Sequence, residues 1–253
     1  MSNATLDKNS DAASVGPQPG PGSVRLDRIT GHTFIPGLLP MNAIVLDLGA
    51  NRGTFSKTIS QRYGYHCHSI EPNPEMWKRI ETSALVATHN LAVAEHDGLV
   101  HLRVSGNSES SSIFPLASEP SAPVVEVEGL TLASLIDRLN LPRVDLLKVD
   151  VEGAEIGLFR ACEDDLLKKI PQICVEFHEL AGLTDRQEMA DLFARMSRLG
   201  FAVIKMSFSH YADVLFLNTK LTGVSRIRVQ MLRHLSRNFA VLGRLLRHWR
   251  VLR

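Results

Sequence analysis

Three cysteines in 253 residues, Cys67, Cys162 and Cys174, stand far apart and form no CxxC pair. That scarcity excludes a disulfide scaffold and a zinc knuckle, and each cysteine reads as a small buried hydrophobe. No apolar run is long enough to cross a membrane, and the polar first residues do not have the pattern of a signal peptide. The default expectation is a cytoplasmic protein, with a peripheral position at a membrane surface as its variant. There is no internal repeat and no recognised nucleic-acid module, so nucleic acid is not an expected partner. A GxxxxGK[ST] phosphate loop is absent, and the glycine spacing departs from GxGxxG.

What remains is the composition of an ordinary globular protein, 44% hydrophobic and 22% charged. The net charge of +1 hides an asymmetry. From Thr219 onward there are nine Lys and Arg and no acidic residue, whereas the rest holds 19 basic against 27 acidic residues. Residues 1–24 lack apolar periodicity and end in a Pro/Gly cluster, which predicts a disordered leader. Residues 25–222 read as one domain. Residues 223–253 read as a basic amphipathic helix, with Leu232, Leu235, Phe239, Leu242, Leu246 and Trp249 near one broad face. Through 226–253 it suits an anionic membrane or an acidic protein, or simply packing on the domain with its charge in water.

The element order predicts an α/β fold with a doubly wound, mostly parallel Rossmann-like sheet. Strands are expected at 43–48, 66–70 and 85–88, with helices at 54–63 and 74–83 between them. A less regular middle follows: a strand at 99–104, a serine-rich loop at 106–112, a strand at 123–127 and a helix from the Thr131 cap to Leu139. The pattern resumes with a strand at 144–149, a helix at 153–160, a strand at 173–177 and an amphipathic helix at 184–199. Strands at 201–205 and 214–217 predict a closing antiparallel hairpin.

Ligands of such sheets bind beyond the carboxyl ends of the strands, where the strand order reverses. Gly49 and Gly53 bracket a tight turn there, with Asp47 and Asn51, although turns of this kind also occur for structural reasons alone. Glu71, ending the next strand, has the placement to accept both ribose hydroxyls of a nucleoside cofactor, or else is a solvated strand end. Local pattern therefore keeps an NAD(P)-binding oxidoreductase open, and the glycine spacing disfavours it. A non-catalytic membrane-associated binding protein is a further alternative. Lys148 and Asp150 share a face of their strand. The lysine needs a carboxylate partner among Asp150, Glu152 and Glu155, either to fix the loop or to tune groups that orient a substrate. His178, two residues beyond Glu176, has the chemistry of a general base; it also fits a hydrogen-bonded strand end. His210 and Tyr211 are weaker candidates. A divalent ion near Asp150 and Glu152 stays open, but two neighbouring carboxylates do not make a metal site, and no metal ligand is assigned.

These residues carry a resemblance. Val45–Gly53 (VLDLGANRG) resembles motif I of class I S-adenosylmethionine-dependent methyltransferases, and Glu71-Pro72-Asn73 resembles the acidic motif that follows it. Asn90–Val93 (NLAV) with Leu147–Glu155 (LKVDVEGAE) narrows the resemblance to the FkbM-type family, across about Ile44 to Phe177. It implies S-adenosylmethionine as cofactor, with Asp47, Gly49, Asn51 and Gly53 around the methionine side, Glu71 on the ribose, and Asn90, Leu91 and Ala92 near the adenine. It also implies O-methylation of a hydroxyl on a sugar, glycan, lipid-linked acceptor, glycolipid or small metabolite; from the strand-end reading above, His178, Asp150, Glu152 and Lys148 are the residues placed to handle that acceptor.

Overall fold

The computed structural model describes residues 20–104, 111–112, 123–178, 186–206 and 211–234. Most of the leader, most of the serine-rich segment, His210 and the chain after 234 therefore lie outside the described residues.

The described chain begins with a hairpin that the sequence did not announce, β1 (Asp27–Ile29) and β2 (His32–Phe34), antiparallel and turned through Thr30 and Gly31. Next come β3 (Ile44–Leu48), α1 (Thr54–Tyr63), β4 (His66–Ile70), α2 (Pro74–Trp77) and β5 (Val86–His89), the expected β-α-β-α-β half. Helix α2 is shorter than the predicted 74–83. It ends at Trp77, and the chain goes on in tighter turns, Arg79 N–H to Met76 O and Ile80 N–H to Trp77 O, that bring Ile80 against the Gly53 turn.

The irregular middle forms a second sheet. It contains β6 (Ala92–Val93), β7 (Gly98–Val104), β8 (Ser111–Ser112) and β9 (Val124–Leu130), in the order β6-β9-β7-β8. The last two serines of the predicted loop are thus a short edge strand pairing with Val104 and Arg103. Thr131 caps α3 (Leu132–Arg138) as expected, its side chain accepting the Ser134 N–H.

The remaining elements are β10 (Leu146–Val149), α4 (Glu155–Ala161), α5 (Asp164–Leu167), β11 (Gln172–Val175), α6 (Arg186–Arg198), β12 (Phe201–Lys205), β13 (Val214–Asn218) and α7 (Thr219–Thr222). The central sheet runs β12-β13-β11-β10-β3-β4-β5. Its five strands from β11 to β5 are parallel, and β13 is antiparallel to both neighbours, which gives the predicted closing hairpin.

Alternation along the central strands sorts the core onto two faces. Leu46, Leu48, Leu147, Val149, Ile173 and Val175 pack with α3, α4 and α6 on one face. Val45, Leu146, Cys67 and Cys174 pack with Phe34, Phe55 and Tyr65 on the other. The predicted stripe of α6 is there, with Met189, Leu192 and Met196 buried and Phe193 partly so. All three cysteines are buried free thiols. No helix among the described residues is long and apolar enough to cross a membrane. Strand order reverses between β3 and β10, so the crevice expected to hold a ligand opens beyond Leu48 and Val149.

Candidate functional site

The crevice begins with the turn that ends β3. Gly49 sits at φ 74°, and a Cβ there would come within 1.8 Å of the Asp150 carbonyl oxygen. Two loops, from β3 and β10, therefore touch backbone to backbone where only glycine fits. Gly53, at φ 71°, starts α1, and its missing Cβ leaves room for Ile80. Both the Gly49 and Ala50 N–H groups donate to Ile70 O at 3.0 Å, which ties the turn to the end of β4.

Beneath the turn lies a buried charge network. Asp47 and Lys148 are register partners on adjacent strands, 0% and 3% exposed. The Lys148 Nζ is 3.1 Å from Asp47 Oδ1 and 3.3 Å from Asp150 Oδ2, and it donates to Gly49 O at 2.7 Å. Asp47 Oδ2 accepts from Ser56 Oγ at 2.7 Å. Burial alone would lower the Lys148 pKa, but Asp47 and Asp150 outweigh it and hold the ammonium charged. Burial would likewise raise Asp150, and Lys148, His32 and His178 drive it below the ordinary carboxylate range.

Glu71 closes one side of the crevice. Its Oε2 accepts the Asn51 N–H at 2.7 Å and its Oε1 accepts the Asn73 N–H at 2.8 Å. Burial raises its pKa against the pull of those two N–H groups. Each oxygen keeps a second lone pair for a ligand hydroxyl. Asn90 braces the same corner from behind, its amide donating to Glu71 O and Pro72 O at 2.9 Å. The cavity itself is lined by Gly49, Asn51 and Glu71, by apolar groups including Met76, Leu91 and Leu102, and by Asp150 and Glu152. Among the described residues, three carboxylates and no Lys or Arg line it. Such a lining suits a nucleoside that carries positive charge and opposes a pyrophosphate, which needs cations or a helix N-terminus lined with glycines.

His178 stands beside this cavity. Its Nδ1 lies 2.8 Å from Oε1 of Glu155, a carboxylate with no exposed surface that also accepts the Gly153 N–H at 3.1 Å. The Nε2 faces Glu152 Oε2 at 3.3 Å and Asp150 Oδ1 at 3.7 Å. A carboxylate on Nδ1 fixes the ring and leaves Nε2 for chemistry. Burial lowers the His178 pKa, but the hydrogen bond and charge of Glu155, with Glu152 and Asp150, outweigh it and raise the value to about 9. Glu152 and Glu176 are both raised, by burial first and then by neighbouring carboxylates.

The sequence-derived set thus divides. Gly49, Asn51, Glu71, Leu91, Ala92, Asp150 and Glu152 line the cavity; Asp47, Gly53, Lys148 and Asn90 shape it from beneath or behind. Lys148 takes Asp47 and Asp150 as partners, and Glu155, a third candidate for that role, pairs with His178 instead. Tyr211 is packed on Phe193 with Lys205 over its ring, and its carbonyl accepts the Phe177 N–H. His32, on the unannounced hairpin, was missed: it is buried, with Nε2 3.3 Å from Asp150 Oδ2. No local signal marks it, because a three-residue strand shows no periodicity. His32, Asp150 and Glu176, and Asp150, Glu152 and His178, each bring ligand-type atoms within 4.8 Å, the span of a metal site. Of these carboxylate oxygens, Asp150 Oδ2 already faces Lys148 and His32 at 3.3 Å each.

Residues 47–203 match the family model of the methyltransferase FkbM domain. Methyltransferase sdnD of Sordaria araneosa is 25% identical over 202 residues, 63% of this chain and 75% of that one. Methyltransferase 1 of Beauveria bassiana is 25% identical over 189 residues, 65% of this chain and 74% of that one. The AMB antimetabolite synthetase AmbE of Pseudomonas aeruginosa is 26% identical over 205 residues, 62% of this chain but 10% of the synthetase.

Proposed function

The chain belongs to the FkbM methyltransferase family and is an S-adenosylmethionine-dependent enzyme, and we propose that it methylates a hydroxyl oxygen with His178 as the base. The acceptor class is a sugar, glycan, glycolipid or small metabolite. Similarity to a protein named for antimetabolite synthesis supports the metabolite end of that range.

The observation that carries this reading is the Glu155–His178 pair, with Nε2 turned toward two carboxylates that line the cofactor cavity. S-Adenosylmethionine supplies a methyl group made electrophilic by its sulfonium sulfur. Glu71 receives the ribose hydroxyls on its remaining lone pairs. Asp150 and Glu152 counter the cofactor's positive charge and orient the acceptor. Lys148 acts through the loop, fixing Gly49 and Asp150 from below. His178 Nε2 takes the hydroxyl proton, while Glu155 holds the ring in one orientation and stabilises the imidazolium that forms. No metal enters the scheme.

With its pKa raised to about 9, His178 is mostly imidazolium at neutral pH and must lose that proton to serve as base. Turnover is therefore expected to rise with pH toward 9, and a bound cationic cofactor shifts the inflection lower. The test is transfer of a labelled methyl group into glycan, lipid and small-molecule fractions across this pH range. Removing the base in His178→Asn should cost on the order of 100-fold or more in turnover with cofactor affinity kept. Glu155→Gln should lower turnover and move the inflection to lower pH, because a carboxylate favouring the imidazolium is lost. Full turnover in His178→Asn would remove it as base, and label found solely on nitrogen would overturn the acceptor class.

A further inference from the structure

Away from the cavity, the residues after β13 present a surface that the reaction does not use. Residues 226–234 are helical. Val229 and Leu232, with Val224 ahead of them, are buried against Ala202, Ile204, Leu215 and Leu217. At 100° per residue, Ile227 and Met231 fall together on the opposite side of that helix. They are 70% and 59% exposed, and Leu221 on α7 is 53% exposed. These are three of the six exposed large hydrophobic residues among the described residues, gathered within a short segment.

The same segment is cationic. Arg226 and Arg228 flank the Ile227–Met231 stripe, and Lys220 precedes it. None of these three has a carboxylate partner among the described residues. A cleft lined by Lys220, Arg226 and Arg233, with no acidic residue among the described residues that line it, lies alongside. A cleft of one sign focuses the local potential. Downstream, residues 235–253 add five arginines and no acid.

We propose that this face docks on an anionic phospholipid membrane, with Leu221, Ile227 and Met231 entering the headgroup–acyl boundary and Lys220, Arg226 and Arg228 meeting lipid phosphates. Exposed apolar side chains ringed by cations are the two signals that together hold a peripheral protein on such a bilayer. A second copy of the chain is a poor occupant, because a two-fold contact would set these cations against themselves. An acidic protein would satisfy the charge of the cleft, but it would leave Ile227 and Met231, on the side of the helix away from the buried Val229 and Leu232, without an apolar medium to enter. The carboxyl end of β13 lies at the amino ends of the parallel strands, so α7 and the start of this helix are at the edge of the sheet opposite the cofactor cavity. Docking therefore leaves the cavity accessible, and this inference stands or falls separately from the acceptor assignment.

The test is co-sedimentation of the full chain with vesicles of phosphatidylcholine, alone or mixed with phosphatidylserine. Calorimetric affinity for S-adenosylhomocysteine is followed in parallel as the check on folding. Binding is expected to the mixed vesicles alone and to weaken with added salt. Lys220→Gln with Arg226→Gln should weaken it about 25-fold, from about 1 kcal/mol per cation near the surface. Ile227→Asp with Met231→Asp should weaken it at least about tenfold, since each residue buries apolar surface, with the sulfur-nucleoside affinity unchanged. If the apolar pair destabilises the fold, the Lys220/Arg226 variant decides. Equal binding to both vesicle types, no binding, or retention in both double variants would overturn the proposal. Capture of an acidic polypeptide without vesicle binding would do the same.

Discussion

A single atom at Gly49 separates a working crevice from a broken one. Gly49→Ala would set a Cβ 1.8 Å from the Asp150 carbonyl at a φ of 74°. Backbone must move to relieve it, at an expected cost of about 2–4 kcal/mol. At this chain length that is a fall of several degrees in a thermal melt, and an unchanged melting temperature would show that the two loops do not touch. Glu71 provides a second test at the same scale. Glu71→Gln keeps the shape, but removes the charge and turns an amide N–H₂ toward the Asn51 or Asn73 N–H. Affinity for S-adenosylhomocysteine should fall about 10- to 100-fold, consistent with charge-assisted hydrogen bonds of about 1.5–3 kcal/mol. Equal affinity by calorimetry would remove the carboxylate from ribose binding. Asp150 and Lys148 could be read as neighbours because a strand has a period of two. The Glu155–His178 pair could not, because it depends on how the first turn of α4 seats against the end of β11, and no spacing encodes that contact.

At the scale of elements, the legible parts were those with a period to read. Strands β3, β10 and β11 are short, mostly apolar runs buried on both faces, and α6 shows its stripe at i, i+3, i+4 and i+7. Hairpin β1–β2 has three residues per strand and β6 has two, too few for any alternation to stand out. Yet β2 is held firmly. Asp213, 2% exposed, accepts from the Thr33 N–H at 3.1 Å and the Thr33 Oγ1 at 2.7 Å, and Gln172 exchanges two hydrogen bonds with the Ile35 backbone. Asp213→Ala leaves two buried donors on Thr33 without partners, and should cost about 2–3 kcal/mol in denaturant unfolding. It should also loosen His32 beside Asp150, which would appear as weaker cofactor binding. A stability loss below about 0.5 kcal/mol would show that the hairpin is held by its apolar contacts instead.

For the molecule as a whole, the sequence order was enough for a doubly wound sheet and for its crevice, because strand–helix alternation and crossover handedness leave few arrangements. The second sheet, β6-β9-β7-β8, was not recoverable, since its strands read as an irregular middle and pair across segments of uneven length. Leu102 and Val93 from that sheet complete one wall of the cavity. The cofactor half of the site was therefore read as a row of loop residues, whereas the structure encloses them between two sheets.

The attachment of β2 has a consequence in time. Thr33 and its partner Asp213 are separated by 180 residues of chain. At about 5–20 residues per second, a ribosome needs roughly 10–35 s to pass from one to the other. Throughout that interval Ile35, fully buried in the finished protein, lacks its neighbours Ala202, Ile204, Leu215 and Leu217, whereas Phe34 can already meet Phe55 and Tyr63. Hairpin β1–β2 is thus anchored early on α1, through Asp27 to Arg62 and Tyr63, and its second strand is locked only when β13 emerges.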